Sequence, residues 1–366
     1  MDELRTTAIK KWVKGTTVLL SDRLLTGAQW TTVAQEEPSR GRGTRRITLF
    51  SLKGGVGRTT TTAVLATHLA RKGTRVLLFD LDLESPGVSS ALLEPEERPE
   101  WGIVDWFVED LVGQGEDVLR SIASEPRWAQ DFSGGIWIVP AYGQKPREYL
   151  AKLGRVYLDR PPLASAEGPE TWTSRLQRLV RALEDVYEPD IVLLDSRSGL
   201  HDLAAAVVTD LQADVLLFAV DSDATWTGYR ILFQHWADFG RIRDIREKLW
   251  MVAALIPDQG RDVYLRRFRE RAWELFREVL YDEVPAEPPD QAAGDWFSFD
   301  LLDEDAPHNP LPIYWTAGLN ALTDLRNLED APVRQAYYAF FERFERLWPP
   351  LGGGHDDGFA PALRSS

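Results

Sequence analysis

The stretch ITLFSLKGGVGRTTT, Ile47–Thr61, decides the fold of this 366-residue chain. Its first six residues form a mostly apolar run, which predicts a strand buried on both faces of a sheet. Glycines follow at positions 54, 55 and 57, and because glycine accepts positive φ, successive N–H groups there can approach an anion. Apolar residues at Val64, Leu65 and Leu69 predict a helix whose N-terminus faces the same anion. The stretch therefore predicts a strand, an anion-binding loop and a helix.

The glycine-rich loop departs from the usual phosphate-loop pattern, G-x-x-x-x-G-K-[ST]. That pattern requires a glycine where Leu52 stands. The residues K-G-G-V-G-R-T-T from Lys53 to Thr60 instead resemble the deviant Walker A motif, K-G-G-x-G-K-[ST], of the ParA/MinD family of P-loop ATPases. One residue departs, since Arg58 occupies the lysine position. Glycine-rich turns also form hairpins and helix caps, but a match of this length between a strand and a helix favours the nucleotide interpretation.

Two further segments carry aspartates at the ends of predicted strands. The run RVLLF, residues 75–79, leads into D-L-D, and alternate residues of an extended chain face the same side, so Asp80 and Asp82 are both expected to point toward the loop. The segment DIVLLDSRSG places Asp195 after four apolar residues, and Gly199 follows four positions later. Each segment alone is common. Together they resemble the D-x-D and D-x-x-x-G switch segments of the ParA/MinD family.

Strands and helices alternate along most of the chain. Further apolar runs predict strands at 136–140, 191–194, 215–220, 251–256 and 311–315, and helical patterns cover 59–72, 101–124, 172–187, 264–280 and 333–347. This alternation predicts an α/β fold, with a mostly parallel twisted sheet and helices on both faces. Ligands of such folds bind at the carboxyl ends of strands, which is where the glycine loop, Asp82 and Asp195 lie.

The domain that resembles the ParA/MinD family is predicted to cover residues 46–348. Residues 1–45 are predicted as an N-terminal extension with a helix around Lys10 to Lys14, an edge strand in TTVLL and a basic linker that starts at Pro38. The linker is interpreted as solvated, with a nucleic-acid-binding arm as the alternative. Residues 281–310 are predicted as an acidic, irregular insertion that forms a partner surface or a lid, and residues 349–366 as a flexible tail.

Composition limits the class of protein. Hydrophobic residues make up 44% of the chain, as in an ordinary folded core. No run approaches the roughly 18 apolar residues of a membrane span, and the N-terminus lacks the apolar segment of a signal peptide, so we expect a soluble, cytoplasmic protein with no membrane contact. Cysteine is absent, which removes disulfides, thiolate metal sites and cysteine nucleophiles and excludes iron–sulfur members of the family.

The net charge of −15 is unevenly distributed. Residues 1–46 hold nine Lys/Arg and five Asp/Glu, so the remainder holds 33 and 52. An acidic body of this kind predicts weak or no nucleic-acid binding. The predicted helix 264–280 has an arginine-rich face, and its glutamates lie one turn away, so we expect these arginines to be paired within the helix.

The resemblance implies a role for each residue of the loop. The phosphates would be wrapped by Gly54, Gly55, Val56, Gly57, Arg58, Thr59 and Thr60. Thr59 would ligate Mg²⁺ through its hydroxyl, and Asp195 would hold a metal-bound water. Asp82 would orient or activate the attacking water. Lys53 would reach the partner subunit's nucleotide in an ATP-bound homodimer, and with Arg58 and Asp82 it completes the predicted catalytic set.

These roles predict a dimeric ATPase switch that binds Mg-ATP, hydrolyses it slowly and regulates or positions a partner protein assembly. The alternative is a nucleotide-binding scaffold or sensor that hydrolyses little and acts by protein contact, because the guanidinium of Arg58 is bulkier than a lysine ammonium. Residues 349–366 lack the tyrosines of a bacterial tyrosine kinase tail, and their prolines and glycines do not suit the membrane-binding helix of MinD. A serine hydrolase would need a G-x-S-x-G elbow, and the segment from Asp195 to Gly199 does not match that pattern. No motif separates adenine from guanine.

Overall fold

The computed structural model describes residues 9–13, 16–20, 27–34, 43–162, 168–284, 296–320, 325–326 and 330–349. The strands in these residues are β1 (Ile9–Val13), β2 (Thr16–Leu20), β3 (Arg45–Ser51), β4 (Arg75–Leu81), β5 (Gly135–Val139), β6 (Ile191–Ser196), β7 (Asp214–Ala219), β8 (Leu249–Ile256) and β9 (Leu311–Tyr314). The helices are α1 (Arg58–Arg71), α2 (Val88–Leu92), α3 (Ile103–Leu111), α4 (Gly115–Leu119), α5 (Tyr149–Leu153), α6 (Trp172–Tyr187), α7 (Asp202–Thr209), α8 (Asp223–Asp238), α9 (Ile242–Ile245), α10 (Arg261–Val279), α11 (Ala317–Asn320) and α12 (Asp330–Leu347).

Seven strands form one sheet in the order β5-β4-β6-β3-β7-β8-β9. Every pairing in this sheet is parallel, which confirms the predicted α/β fold. β3 lies at the centre between β6 and β7. Because all strands run the same way, the loops that follow β3, β4 and β6 meet at one edge of the sheet.

Helices cover both faces of the sheet, as predicted. On β3, Ile47 and Leu49 face one side, where they pack with residues of α1 and α12. Phe50 faces the other side and packs with residues of α7, α8 and α10. Further along that second side, α3 and α6 cover β4, β5 and β6. The period-two alternation of a strand thus supplies two buried faces from one apolar run.

The two edges of the sheet are closed to further strands in different ways. Beside β5, Ser124 forms an isolated antiparallel bridge with Ile138. At the other edge, β9 contains Pro312, which has no N–H to offer a neighbouring strand. The pairing of β8 with β9 is irregular between Ala253 and Ile256, and Leu255, inside this irregularity, has a φ of 55°.

The N-terminal extension contradicts the predicted helix around Lys10 to Lys14. Within its described part, Lys10 to Val13 belong to strand β1. β1 pairs antiparallel with β2, the predicted TTVLL strand, in a separate two-stranded sheet, so β2 does not extend the main sheet. The error has a physical reason, since so short a run has no clear period and cross-strand pairing outweighs the helix propensity of lysine.

Part of the extension packs into the core of the domain. Trp30 lies in a 3₁₀ turn, is 4% exposed and contacts the rings of Phe50 and Trp236. Its neighbour Gln29 donates to a carboxylate oxygen of Asp210 at 2.5 Å. The described residues 27–34 therefore contribute to the core, although the predicted boundary at residue 45 assigns them to an extension.

Several predictions fall on residues outside the described ranges. These residues are 38–42 of the basic linker, 285–295 of the acidic insertion and 350–366 of the tail. At the end of the linker, Arg46 pairs with Glu184 at 2.6 Å. The described residues 296–310 of the insertion contain no helix or strand. A membrane-spanning helix, long and apolar enough to cross a bilayer, does not occur in the described part of the chain.

The arginine-rich helix α10 is paired differently from the prediction. Arg267 and Arg271 contact Asp221, which follows β7, and Arg271 Nη1 lies 3.1 Å from its Oδ1. Glu278 pairs with Arg230 of α8 at 3.0 Å. For these residues the predicted pairing within the helix is wrong, because carboxylates on the neighbouring elements lie closer than those one turn away.

Candidate functional site

The loop between β3 and α1 presents backbone N–H groups at the carboxyl edge of the sheet. Gly55 and Gly57 have φ values of 76° and 81°, the left-handed region that favours glycine. Gly57 is the N-cap of α1 and supplies no side-chain cap. The first N–H groups of α1 consequently lack a capping oxygen, and with the positive end of the helix dipole they suit an anion.

Arg58, the first residue of α1, turns inward and joins three strand ends. It is 7% exposed. Its Nε donates to Oδ1 of Asp195 at 3.1 Å, and its Nη1 donates to Oγ of Ser51 at 3.0 Å. Its Nη2 lies 3.5 Å from Oδ2 of Asp82. The structure thus brings the predicted residues Arg58, Asp82 and Asp195 together around one guanidinium.

Asp195 lies in β6, fully buried, and accepts hydrogen bonds from the start of α1. Thr59 Oγ1 donates to its Oδ2 at 3.1 Å, and Thr62 Oγ1 lies 3.4 Å from its Oδ1. Burial raises the pKa of Asp195 above its ordinary value, although Arg58 opposes this. Thr62 was missed in the sequence, yet its position one helical turn after Thr59 is a signal that could have identified it.

Asp80 and Asp82 do not share one environment. Asp82 reaches Arg58, whereas Asp80, fully buried at the end of β4, accepts from the N–H and Oγ of Ser89 at 3.0 and 2.5 Å. The other oxygen of Asp80 has no hydrogen-bond partner among the described residues. Burial, followed by the charge of Asp195 on the adjacent strand, raises the pKa of Asp80 to about 7. Burial also raises the pKa of Asp82, against the effect of Arg58.

The donor set at this edge suits a hard divalent cation. Asp82 and Asp195 share the guanidinium of Arg58, and Asp80 lies beside them. All three carboxyl groups have raised pKa values, and Oδ1 of Asp80 is buried without a partner among the described residues. Within the described ranges, no three acidic, histidine or cysteine side chains are placed to hold a metal by themselves. Mg²⁺ usually takes only one or two protein oxygens and completes its shell with water and phosphate. The hydroxyl of Thr59 and the carboxylate of Asp195 fit that role.

The loop after β6 lies directly against the glycine loop. Gly199 has a φ of 92° and donates its N–H to the carbonyl of Ser51 at 2.9 Å. A Cβ built on Gly54 would lie 3.7 Å from Oγ of Ser198. The two loops are therefore close enough for one ligand to contact both.

An ion pair that the sequence did not indicate joins the loops after β4 and β6. Arg197 Nη1 lies 2.9 Å from Oε1 of Glu84, and the hydroxyl of Tyr157 donates to the same oxygen at 2.8 Å. A signal was present, because Glu84 and Arg197 each stand two residues after a strand-end aspartate. The ion pair therefore links the loops after β4 and β6.

The remaining predicted residues do not join the polar cluster. Lys53, Gly54 and Gly55 are exposed. Val56 is 7% exposed and packs with apolar residues of α1, so its side chain belongs to the core. Thr60 is half-buried. Whatever these residues contribute to a bound phosphate therefore comes from the backbone or, for Lys53, from a side chain at the surface.

A parallel sheet, a glycine loop that opens a helix and acidic strand ends define a nucleotide-binding protein of the α/β class. The family model described as the CobQ/CobB/MinD/ParA nucleotide binding domain matches residues 47–247, more than half of the chain. The chain belongs to this family, as the resemblance in its sequence predicted.

Two curated relatives share part of the chain. The chromosome-partitioning ATPase Soj of Thermus thermophilus is 58% identical over 168 residues, which cover 43% of this chain and 64% of Soj. The septum site-determining protein MinD of Buchnera aphidicola is 30% identical over 111 residues, which cover 30% of this chain and 37% of that protein. The chain thus spans less than two thirds of the length of either relative.

Solved structures of MinD proteins are also similar to this chain. The cell division ATPase MinD of Pyrococcus furiosus is 19% identical, with a TM-score of 0.47, and the match covers 83% of this chain and 99% of that one. The MinC:MinD complex of Aquifex aeolicus gives 16% identity and a TM-score of 0.47, with coverage of 83% and 95%.

Proposed function

We propose that the chain is a cytoplasmic, homodimeric switch that binds Mg-ATP, hydrolyses it slowly and regulates or positions a partner protein assembly. The observation that carries the proposal is the bridge from Arg58 to Asp195 and Asp82 at the N-terminus of α1. It gathers a cation and two acidic groups where a nucleotide phosphate would lie. The relatives support a role of this kind, since one is named a chromosome-partitioning ATPase and the other a septum site-determining protein.

Binding of the phosphates relies mainly on the backbone. The left-handed turns at Gly55 and Gly57 and the uncapped first turn of α1 supply N–H donors. Thr59 is proposed to ligate the metal through a lone pair of its hydroxyl oxygen, which leaves the hydroxyl hydrogen bonded to Asp195. Bound Mg²⁺ would neutralise charge on the phosphate oxygens as the bond to the leaving group breaks.

Hydrolysis requires a positioned water, and Asp82 is the carboxylate proposed to hold it. The water oxygen bonds to the γ-phosphorus, the bond to the bridging oxygen breaks, and the proton passes to Asp82 or to the released phosphate, which leaves ADP. A raised pKa makes Asp82 a stronger base than an ordinary aspartate. Positioning and charge stabilisation supply most of the acceleration in such sites.

Measuring phosphate release with and without Mg²⁺ tests the proposal. We expect Mg²⁺-dependent release that falls about 100-fold in Asp82→Asn, the low end of what a positioned base contributes. Asp131→Asn, which removes an exposed carboxylate elsewhere, is the matched control and should behave like wild type. Equal rates in wild type and Asp82→Asn would remove Asp82 from the mechanism.

Arg58 is the residue that sets the proposed slow rate. Its guanidinium already bonds Ser51, Asp82 and Asp195, so a phosphate must compete with these groups. A clamp that holds ATP and the transition state equally well improves binding without speeding the reaction. Arg58→Lys places a single ammonium that cannot bridge all three groups, and we expect faster hydrolysis with similar or weaker affinity. Arg58→Ala should lose both.

A lower rate in Arg58→Lys would mean that the site depends on the guanidinium shape. The second candidate function, a scaffold or sensor with little hydrolysis, is favoured by the same contacts, because Arg58 engages the two carboxylates that turnover needs. Tight, Mg²⁺-dependent ATP binding without phosphate release in wild type or in Arg58→Lys would select the scaffold.

Lys53 is the residue proposed to act across a homodimer. It is exposed at the start of the glycine loop and makes no ion pair within the described residues. Sedimentation with a nonhydrolysable ATP analogue should give a dimer for wild type and for the control Arg277→Ala, and a monomer for Lys53→Ala. A wild type that stays monomeric would end the dimer proposal.

Nucleic-acid binding is proposed to be weak at most. The net charge is −15, and two arginines of α10, Arg267 and Arg271, are engaged by Asp221. A filter-binding assay at physiological salt should detect no tight complex, since nonspecific binding depends on unpaired cations. Tight binding that disappears when residues 1–46 are deleted would instead assign the basic linker to nucleic acid.

A further inference from the structure

A cavity lies beside β9 and shares no lining residue with the candidate nucleotide site. Its volume is about 430 Å³, within the range of small-molecule pockets. α10 contributes Arg266 and Arg269, α12 contributes Arg343, and the chain entering β9 contributes Asn309, Pro310 and Pro312. Three guanidinium groups therefore converge on one cavity in an acidic protein.

Arg343 is the most unusual of the three. Its side chain is 7% exposed, and its terminal nitrogens donate only to backbone carbonyls, those of Glu304, Ala306 and Asn309. Its Nε is buried without a hydrogen-bond partner in the described part of the chain. No carboxylate of the described residues lies within ion-pair distance of it.

Carbonyl groups accept the hydrogen bonds of a buried guanidinium but do not neutralise its charge. Buried cations in proteins are normally paired with an anion, because desolvation is costly. Burial, followed by Arg346, lowers the pKa of Arg343 to about 10, so the group is still charged at neutral pH. Among the described residues, no anion contacts Arg343, and only the more distant charges of Asp305 and Glu304 act against the lowering of its pKa.

Of the other two arginines, Arg266 is exposed and Arg269 is partly buried. Among the described residues Arg266 and Arg269 form no ion pair, in contrast to their neighbours Arg267 and Arg271 on the same helix. Asp262 is the one acidic residue that lines the cavity. α10 thus has one pair of arginines that is compensated by the protein and one pair that is not.

We propose that this cavity binds a small phosphate monoester. Guanidinium groups hold phosphate oxygens in bidentate pairs, which Arg266 and Arg269 could form here. The additional positive charge of Arg343, whose terminal nitrogens bond backbone carbonyls, favours a dianion over a single charge. Leu265, Pro310 and Ala339 supply apolar wall, which gives room for a compact organic body behind the phosphate.

Calorimetry on the full chain tests the proposal, with glucose 6-phosphate as the probe and glucose as the neutral control. We expect the phosphate ester to bind and glucose not to bind. Arg266→Gln and Arg269→Gln should each weaken binding at least about tenfold. Arg277→Gln, which removes an exposed arginine of the same helix outside the cavity, should change the affinity less than about twofold.

Arg343→Lys is a further variant, used only if its circular dichroism spectrum matches wild type, because Arg343 also holds the segment before β9. Absence of binding by wild type at millimolar glucose 6-phosphate overturns the proposal, as does binding that survives in both Arg266→Gln and Arg269→Gln. Binding of a single-stranded dT20 without binding of the sugar phosphate overturns it in favour of nucleic acid. ATP hydrolysis is unaffected by these variants, so failure here leaves the proposed function untouched.

Discussion

The molecule contains two buried clusters of arginine and aspartate with opposite balances of charge. In the first, where α3 meets α6, three arginines surround Asp110, and two of them, Arg160 and Arg178, also pair with Glu170. Arg175 and Arg178 contact Oδ2 of Asp110 at 2.7 and 2.8 Å, and Arg160 approaches its Oδ1 at 3.3 Å. Burial would raise the pKa of Asp110, but the hydrogen bonds from Arg178 and Arg175 outweigh it and hold the pKa below its ordinary value.

In the second cluster, at the candidate nucleotide site, three carboxyl groups lie together and one arginine contacts two of them. Arg58 contacts Asp195 and Asp82, while Asp80 lies beside them without a cation of its own. The pKa values of all three are raised. The first cluster is complete with the residues that the chain provides, whereas the second has an excess of negative charge that an added cation relieves.

This difference separates an ion cluster that stabilises the fold from one that supports a function. A buried carboxylate with sufficient donors stabilises its surroundings, while a group of carboxylates without them is destabilising until a ligand binds. Functional sites commonly retain such a cost in stability. The predictions below test whether the two clusters respond to the same change in opposite directions.

The largest expected effect is in the first cluster. Arg175 is fully buried and also donates to two backbone carbonyls, so Arg175→Met leaves buried oxygens without donors and should destabilise the protein by about 3–5 kcal/mol. Urea unfolding measures this. Arg155→Met, at an exposed arginine, is the control and should cost under about 0.5 kcal/mol. A cost below about 1 kcal/mol for Arg175→Met would contradict the view that this cluster stabilises the fold.

The second prediction gives the opposite sign. The folded-state pKa of Asp80, about 7, lies above its ordinary 3.8, so its contribution to stability is present below pH 4 and is lost as the pH rises toward 7. Because Asn does not ionise, Asp80→Asn does not lose stability as the pH rises. We expect the variant to be about 2 kcal/mol more stable than wild type at pH 8 and nearly equal to it at pH 4.

Unfolding at several pH values measures this effect, with Asp110→Asn as the matched substitution in the first cluster. Asp110→Asn should destabilise at neutral pH, since it removes the acceptor of three arginines. If both variants were destabilised at pH 8, the charge excess at the nucleotide site would not be a cost to the fold.

The third prediction concerns added cations. Mg²⁺ without nucleotide should raise the stability of wild type by about 1 kcal/mol at five times its Kd, the amount expected for one site. Asp195→Asn should lose most of this gain, and Asp110→Asn should keep it. Thermal unfolding with and without Mg²⁺ decides the matter, and an undiminished gain in Asp195→Asn would place the cation elsewhere.

The smallest effect is expected where a charge pair is exposed. Arg230 and Glu278 join α8 to α10 at 3.0 Å, with 40% and 46% of their side chains exposed. Arg230→Gln should therefore cost no more than about 0.5 kcal/mol in chemical unfolding. A cost as large as that of Arg175→Met would show that burial is not what distinguishes the clusters.

The sequence predicted the second cluster better than the first. The glycine loop, Asp82 and Asp195 follow strand ends, and parallel strands bring their carboxyl ends to one edge, so their proximity follows from local pattern and topology. The partners of Arg58 could not be predicted from the local pattern, because Asp195 is 137 residues away and the contact depends on the strand order β4-β6-β3. From the motif alone, the expected partner of Arg58 was a phosphate.

Three features could not be predicted from the sequence: the first cluster, strand β1 and the cavity at α10. The reasons are related. Asp110 and Arg175 carry no motif, and their contact depends on the packing of two helices that are separated by 60 residues. β1 depends on pairing with β2 rather than on its own residues. In α10, the arginines are evident from the sequence, but which of them meet a carboxylate is decided by neighbouring elements.

The closed edges of the sheet have a consequence for how copies of this chain come together. Ser124 occupies the backbone of Ile138 at one edge, and Pro312 interrupts the row of amides at the other. Neither edge of this sheet offers an uninterrupted template to another chain, so growth of a cross-β fibre from the folded state is disfavoured. The folded chain can then be concentrated with less risk of irreversible precipitation through strand addition.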